Sequence, residues 1–210
     1  MTTSVFRKLC AALAWFVIIG QYIVLLQNGE HGGFGSTTIT FFGYFTVLTN
    51  VLVALAFSVP FLKDGSGLRS FFERPGVRTA IALYITVVAI VYYGVLAQNH
   101  HPQGISAYFN IGLHFVLPCL YVFDWAFLSN KDGLTFRSVP LWILYPFGYG
   151  LFNIVRGAIT GFYPYPFLDI ETLGFGAVAV NMLGFVLIYA IGGSAFIGVA
   201  KFLGRKRAAA

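Results

Sequence analysis

A histidine within a membrane-spanning segment is the residue of this sequence best suited to chemistry. His114 lies in the apolar segment IGLHFVLPCL, whereas His31, His100 and His101 lie in short polar connections. An ionisable side chain is costly in hydrocarbon, so its presence there indicates a functional site that includes a partner. The partner we predict is Thr46, because a threonine hydroxyl becomes a nucleophile when an imidazole takes its proton.

The elements that position these two residues are long apolar segments. The chain has 210 residues, of which 58% are hydrophobic and only 10% are charged, a balance that soluble domains of this size do not show. Segments of this length and hydrophobicity span a bilayer as helices. The sequence therefore predicts an all-α integral membrane protein, a single six-helix domain over 1–210, with spans at 9–27, 39–62, 77–98, 105–128, 139–161 and 173–203.

The basic residues indicate how these spans are oriented. All of them except Arg156 precede the first span, lie between the second and third or the fourth and fifth, follow the sixth, or, as Arg78 and Lys201 do, lie within three residues of the adjoining span end. By the positive-inside rule these positions are cytoplasmic, so we predict that both termini are cytoplasmic and that the protein lies in a bacterial cytoplasmic membrane. The net charge of +6 is thus a topology signal, which predicts membrane lipids as partners and no nucleic acid.

Strong polar residues share one depth in the outer half of the predicted bundle. At 1.5 Å per residue, Thr46 lies roughly 10 Å and His114 roughly 13 Å below the outer ends of their spans. Asn50 follows Thr46 by one turn, and Asn110 precedes His114 by one turn. The other members of this layer are Gln21, Asn153, Arg156 and Asn181. A shared depth favours a site built among helices over scattered polar residues.

Each of these residues also has a simpler interpretation. A threonine such as Thr46 commonly bonds the carbonyl one turn earlier, and the asparagines suit hydrogen bonds between helices. Arg156 can extend its charge to the outer surface, and His114 can be a buried neutral ring bonded to a neighbouring helix. Both interpretations stay open at this point.

Two outer connections contain candidate ligands or lids. One candidate is a zinc site, because histidine and carboxylate side chains bind zinc. Its ligands would be His100 and His101 together with Glu30 and His31 of the first outer loop. Adjacent histidines in loops are usually solvated, so we expect no metal and no cofactor.

The connection GFYPYPFLD between the last two spans is rich in aromatic and proline residues. Its Tyr163 and Tyr165 are candidates for a lid over the polar layer. The alternative is an anchor in the aromatic belt at the membrane interface.

Three segments resemble a known family. GYFTVLTN, NIGLHFVLP and RGAITGFYPYPFLD, in this order in a six-span chain, resemble the prokaryotic branch of the androgen-induced membrane-protein family. The resemblance covers essentially the whole chain. It implies multi-pass hydrolases of fatty acid esters of hydroxy fatty acids, whose intramembrane threonine and histidine fall on Thr46 and His114. The YPYPF connection resembles the prokaryotic members and not the animal ones.

These observations predict an intramembrane threonine hydrolase whose lipid-ester substrate enters from the bilayer. In the predicted mechanism His114 deprotonates Thr46, an amide stabilises the oxyanion, and Arg156 holds the substrate's free carboxylate. The candidates for oxyanion or substrate binding are Asn50, Asn110, Asn153, Arg156 and Asn181. The alternative is a non-enzymatic carrier of a lipid or quinone, in which His114 and Arg156 bind the head group of that ligand. A transporter is disfavoured because the six spans show no inverted repeat.

Overall fold

The structure is a computed structural model that describes residues 2–29 and 32–208, the last four of them by their backbone alone. The described residues form helices joined by turns, with no β-strand. Contacts between Cα atoms divide the chain into two compact units, unit 1 over 1–133 and unit 2 over 134–210. The prediction of a single domain stays a prediction, and each unit is described by itself below.

Unit 1 consists of long apolar helices interrupted by short irregular turns. Three five-residue π turns, at Tyr92–Leu96, Gly112–Val116 and Asp124–Leu128, continue its helices. Its α-helices are α1 Thr3–Asn28, α2 Phe34–Phe41, α3 Phe45–Phe57, α4 Gly67–Glu73, α5 Pro75–Val91, α6 Ile105–Ile111 and α7 Leu117–Phe123. Unit 2 contains α8 Val139–Thr160, α9 Ile170–Leu173 and α10 Phe175–Ala208.

The lengths and hydropathies of these helices confirm an all-α, multi-pass membrane protein. Five helical stretches are long and apolar enough to cross a bilayer, and α2 with α3 supplies a sixth if the pair counts as one span. The single-element stretches are Thr3–Asn28, Pro75–Asn99, Ile105–Leu128, Phe136–Thr160 and Phe175–Gly204.

The prediction of one continuous helix over 39–62 is wrong. The axes of α2 and α3 differ by 77°, because Tyr44 takes an extended conformation between them, with φ −84° and ψ 131°. The Tyr22 ring of α1 packs on Phe41, with ring centroids 5.1 Å apart. Its hydroxyl lies 2.6 Å from Thr38 Oγ1, so α1 holds α2 in its bent position.

The bent pair nevertheless connects the two ends of unit 1. Arg7 at the start of α1 and Arg78 at the start of α5 both bind Asp124 near the end of the Ile105–Leu128 stretch. We call this the basic end; its cytoplasmic location, expected from the positive-inside rule, stays a prediction. The Ala56 carbonyl near the end of α3 accepts a hydrogen bond from Arg78, whereas α2 packs on the far part of α1. The pair thus crosses unit 1 as one broken span.

Close helix packing in unit 1 depends on glycine. A Cβ atom placed on Gly20 of α1 would overlap the ring of Phe109 on α6. Both helices contribute to the buried apolar cluster, whose members are Ala14, Val17, Ile18, Phe41, Val47, Ala54, Phe109, Leu113 and Leu117. Gly20 therefore sets the distance between α1 and α6.

We expect Gly20→Ala to destabilise the protein by about 1–3 kcal/mol, because overpacking forces a buried ring to move. Gly198→Ala is the matched control, since a Cβ there meets no atom within 4 Å, and it should stabilise α10 by up to about 1 kcal/mol. Thermal unfolding in one detergent measures both. Equal melting temperatures for the two variants would contradict this packing.

In unit 2, α8 and α10 pack against each other through small residues. Met182 of α10 lies against Gly150 of α8, and Gly193 of α10 lies against Trp142 and Val139 of α8. The left-handed conformation of Gly161, with φ 70°, ends α8 and begins the aromatic connection to α9.

Candidate functional site

His114 lies within an irregular turn of its helix. It is the central residue of the π turn Gly112–Val116, directly before α7, and is 7% exposed. Pro118 in the first turn of α7 has no N–H to donate to the carbonyl of His114. π turns within α-helices occur frequently at functional sites.

The hydrogen bond of the His114 ring determines which nitrogen can act as a base. Nδ1 lies 3.0 Å from the backbone carbonyl of Asn110. A carbonyl only accepts, so the neutral ring carries its proton on Nδ1 and a lone pair on Nε2. Nε2 has no hydrogen bond to any residue in the described part of the chain. The imidazole is therefore held in the tautomer that a general base requires.

Tyr92 holds this imidazole from the neighbouring helix. The two rings stack with centroids 3.6 Å apart and an interplanar angle of 19°. The Tyr92 oxygen accepts a 2.6 Å hydrogen bond from Asn110 Nδ2. Its O–H is then free to donate to His100 Nδ1, 3.1 Å away. Asn110 thus links the base to its stacking partner, and His100 links both to the outer connection.

Thr46 lies in the first turn of α3, directly after the break in the second span. It is half-buried, and the side chain of the N-cap residue Tyr44 makes no capping hydrogen bond. Asn50 Nδ2 donates to the Thr46 carbonyl at 2.9 Å and to the Leu113 carbonyl at 3.2 Å. The amide of Asn50 therefore joins the start of α3 to the turn that contains His114. No hydrogen bond joins Thr46 and His114 themselves, so their direct or water-mediated contact stays a prediction.

The same contacts argue against Asn50 as an oxyanion donor. Both of its amide hydrogens are used by backbone carbonyls. Its Oδ1 is buried and has no hydrogen-bond partner. Asn50 can accept a hydrogen bond in the site. It can donate one to an oxyanion only if one of its two hydrogen bonds to backbone carbonyls breaks.

The asparagines and the arginine predicted from the last two spans all lie in unit 2. Asn153 is 1% exposed; its Nδ2 donates to the Tyr149 carbonyl at 3.0 Å and its Oδ1 has no partner. Asn181 donates to the Phe167 carbonyl at 2.9 Å and thereby holds the aromatic connection. The Arg156 guanidinium lies 5.0 Å from the centroid of the Phe162 ring. It forms no ion pair or hydrogen bond with the residues that the structure describes.

The two tyrosines predicted as a lid pack on unit 2 itself. The Tyr163 ring covers Gly157 of α8, and its hydroxyl is shielded without a hydrogen-bond partner. Tyr165 stacks on Phe167 with ring centroids 5.1 Å apart. Movement of either ring as a lid stays a prediction.

The comparisons with known proteins do not name a relative. No family of proteins, no curated protein and no solved structure matches this chain. Membership of the androgen-induced family is therefore carried by the three segments quoted above and is a proposal.

Metal ligands are not assembled in the described part of the chain. Across residues 2–29 and 32–208, no three His, Cys, Asp or Glu side chains lie close enough to hold a metal ion. Glu30 and His31 lie outside the described residues. His100, predicted as a solvated loop residue, is exposed, and it also contacts Tyr92 through its Nδ1 and its ring.

We expect the link between His100 and Tyr92 to weaken in acid. Burial and the neighbouring charge of His101 lower the pKa of His100, so between that pKa and about 6.5 the unfolded chain binds more protons than the folded one. The contribution of this bond to the free energy of unfolding is therefore complete above about pH 6.5 and is lost as the pH falls through the lowered pKa of His100. His100→Asn keeps an acceptor that does not titrate, and its melting temperature should fall less between pH 7.5 and 5. His101→Asn is the control and should still show the decline; equal slopes in wild type and His100→Asn would contradict the role of this bond.

Proposed function

We propose that this protein is an intramembrane lipid-ester hydrolase with a Thr46 nucleophile and a His114 base, and a prokaryotic member of the androgen-induced family. The observation that carries the proposal is the orientation of the His114 ring. Its Nδ1–H is bound to the Asn110 carbonyl, which leaves the Nε2 lone pair without a hydrogen bond to a described residue, in a buried position where an imidazole without a role is costly. The resemblance assigns the same two positions independently.

The surroundings suit a neutral base. The Asn110 carbonyl fixes the tautomer, and the Tyr92 ring restricts rotation of the imidazole by stacking on it. A neutral imidazole is the usual base near pH 7. Thr46 lies on the helix that Asn50 ties to the turn of His114. The proposal requires its hydroxyl to reach Nε2 directly or through one water.

The proposed reaction has two steps. Thr46 Oγ1 attacks the ester carbonyl carbon while His114 Nε2 takes the hydroxyl proton. The ester C–O bond then breaks, and the imidazolium returns that proton to the leaving alkoxide. In the second step a water attacks the acyl-threonine with His114 again acting as base, which releases the fatty acid and restores the Thr46 hydroxyl.

The oxyanion requires a positive environment, and the start of α3 supplies one. The N-terminal end of a helix has a partial positive charge that favours anions. α3 has 13 residues, and Thr46 is in its first turn. Negative charge that develops on an acyl group attached to Thr46 is therefore stabilised by α3. This assignment replaces Asn50, whose hydrogens are already used.

The substrate class follows from the surroundings and from Arg156. The lipid chains approach from the bilayer, because the polar residues lie among apolar helices. A fatty acid ester of a hydroxy fatty acid also has a free carboxylate, and arginine binds carboxylates with two parallel hydrogen bonds. Arg156 has no acidic partner among the described residues and stays the residue predicted from the sequence for that contact.

We expect Arg156→Met to weaken turnover of acidic lipid esters more than turnover of matched neutral methyl esters. A lost hydrogen bond to a charged group costs about 1.5–3 kcal/mol, which corresponds to roughly a 10- to 150-fold loss of kcat/KM. Arg137→Met, a basic residue outside the predicted polar layer, is the control and should change neither. Equal losses on both ester classes would identify Arg156 as structural.

A hydrolysis screen of the purified protein tests the proposed function. The protein in nanodiscs is incubated with fatty acid esters of hydroxy fatty acids, monoacylglycerols and wax esters, and the released acids are measured by mass spectrometry. We expect release from at least the first class, dependent on Thr46. The second candidate, a lipid carrier, is favoured by the absence of a Thr46–His114 hydrogen bond; it predicts that the same esters bind and are recovered intact.

A further inference from the structure

Two arginines share one buried carboxylate at the basic end of unit 1. Arg7 Nε lies 2.7 Å from Asp124 Oδ1, and Arg78 Nη1 lies 2.8 Å from Asp124 Oδ2. Ser129 Oγ donates to the same Oδ2 at 2.8 Å. Asp124 is 0% exposed and Arg78 is 2% exposed. Both arginines belong to the basic residues that indicate topology, and topology alone does not explain why they share a buried carboxylate.

The cluster has an excess of positive charge. Two guanidinium groups face one carboxylate, which leaves a net charge of +1. Asp124 is the only carboxylate that pairs with either arginine in the described part of the chain. Lys131 adds a further cation, with its ammonium 3.0 Å from the Ser129 carbonyl. An unbalanced charge removed from water is unfavourable, so an additional anion would stabilise this end of the protein.

Hydrogen-bonding groups remain unused around the cluster. Arg7 donates through Nε and Nη2 and Arg78 through Nη1 and Nη2, so Arg7 Nη1 and Arg78 Nε donate to no described residue. The Tyr121 hydroxyl is fully buried and has no hydrogen-bond partner. It lies one turn before Asp124, and its ring packs on Phe57 at 5.3 Å, next to the Ala56 carbonyl that Arg78 binds.

We propose that this cluster binds the phosphate of an anionic phospholipid head group. Arginine matches phosphate geometry with two parallel hydrogen bonds. Arg7 supplies the accessible edge, since its side chain is 13% exposed. Arg7 lies near the start of α1, within a helix long and apolar enough to cross a membrane, at the end that the positive-inside rule places in the cytoplasmic leaflet. Lipid head groups are the anions that this leaflet presents at that depth, and basic pockets at the cytoplasmic ends of helices bind such head groups.

The test compares melting temperatures of the full-length protein in nanodiscs of phosphatidylcholine alone and with phosphatidylglycerol added. We expect phosphatidylglycerol to raise the melting temperature of the wild type by about 5 °C or more. Arg7→Gln should lose most of this increment. Arg69→Gln is the matched control, because it makes the same change in net charge at an arginine that pairs with Asp64 and Glu73. The rise in melting temperature on adding phosphatidylglycerol should be retained in this variant.

Several outcomes would overturn the proposal. These are no increment in the wild type, or equal increments in Arg7→Gln and Arg69→Gln. A shift of the same size from inorganic phosphate in phosphatidylcholine nanodiscs would assign the cluster to free phosphate instead. If Arg7→Gln does not fold, native mass spectrometry of the wild type in an equimolar lipid mixture decides the question. One phosphatidylglycerol retained per chain supports the site, and no preference over phosphatidylcholine overturns it.

Discussion

Thr46→Ala and His114→Ala should each abolish ester hydrolysis while the protein stays folded. Removal of the hydroxyl leaves no nucleophile, and removal of the imidazole leaves no base, so we expect at least a roughly thousandfold loss of kcat/KM in each variant. Thr46→Ser should keep part of the activity, because a hydroxyl remains for His114 to activate. Initial rates on the preferred ester, with melting temperatures measured in parallel, check these expectations.

The matched control for Thr46 is Thr40, six residues earlier near the end of α2. Thr40→Ala removes a buried threonine hydroxyl that has no part in the proposed reaction, and we expect the specific activity of its folded fraction to be unchanged. Full activity in Thr46→Ala would exclude it as the nucleophile and favour the lipid carrier.

Asp124→Asn should be strongly destabilising. The substitution keeps the shape of the side chain but leaves Arg7 and Arg78 without a negative partner, and breaking a buried ion pair in this way typically costs about 3–5 kcal/mol. Asp64→Asn is the control, because Asp64 pairs with Arg69 with 90% of its side chain exposed, and exposed pairs contribute about 0–1 kcal/mol. Denaturant or thermal unfolding in one lipid composition measures both.

A double variant separates charge from shape at Asp124. Arg7→Gln in the Asp124→Asn background removes one of the two unpaired cations, so it should restore part of the lost stability. If Asp124→Asn is no more destabilising than Asp64→Asn, the buried network does not stabilise unit 1.

Hydropathy predicted the membrane helices well because each apolar segment is long and bounded by polar residues. The second span shows what this signal does not contain. The segment over 39–62 is apolar on both sides of Tyr44, and hydropathy has no information about the direction of the backbone. The break arises from the extended conformation of Tyr44 and from the packing of Tyr22 on α2, which are contacts between segments distant in sequence.

The candidate site was predictable where it depends on helix periodicity. Asn110 and His114 are four residues apart, and the structure joins them by a hydrogen bond on one helix face. The stacking of Tyr92 on His114 was not predictable, because it depends on how closely two separate helices approach. The pairing of Arg7 with Asp124 joins residues 117 positions apart, and the basic residues at that end had already been explained by topology.

Covalent labelling of the nucleophile tests the central claim most directly. The purified protein in nanodiscs is treated with a lipid-tailed fluorophosphonate, in which an activated hydroxyl displaces fluoride from phosphorus, and the modified peptide is mapped by mass spectrometry. A Thr46–His114 hydrolase predicts one adduct, on Thr46, that disappears in His114→Ala. Labelling that is unchanged in Thr46→Ala or His114→Ala, or an absence of labelling in a wild-type protein that releases fatty acid, would contradict it.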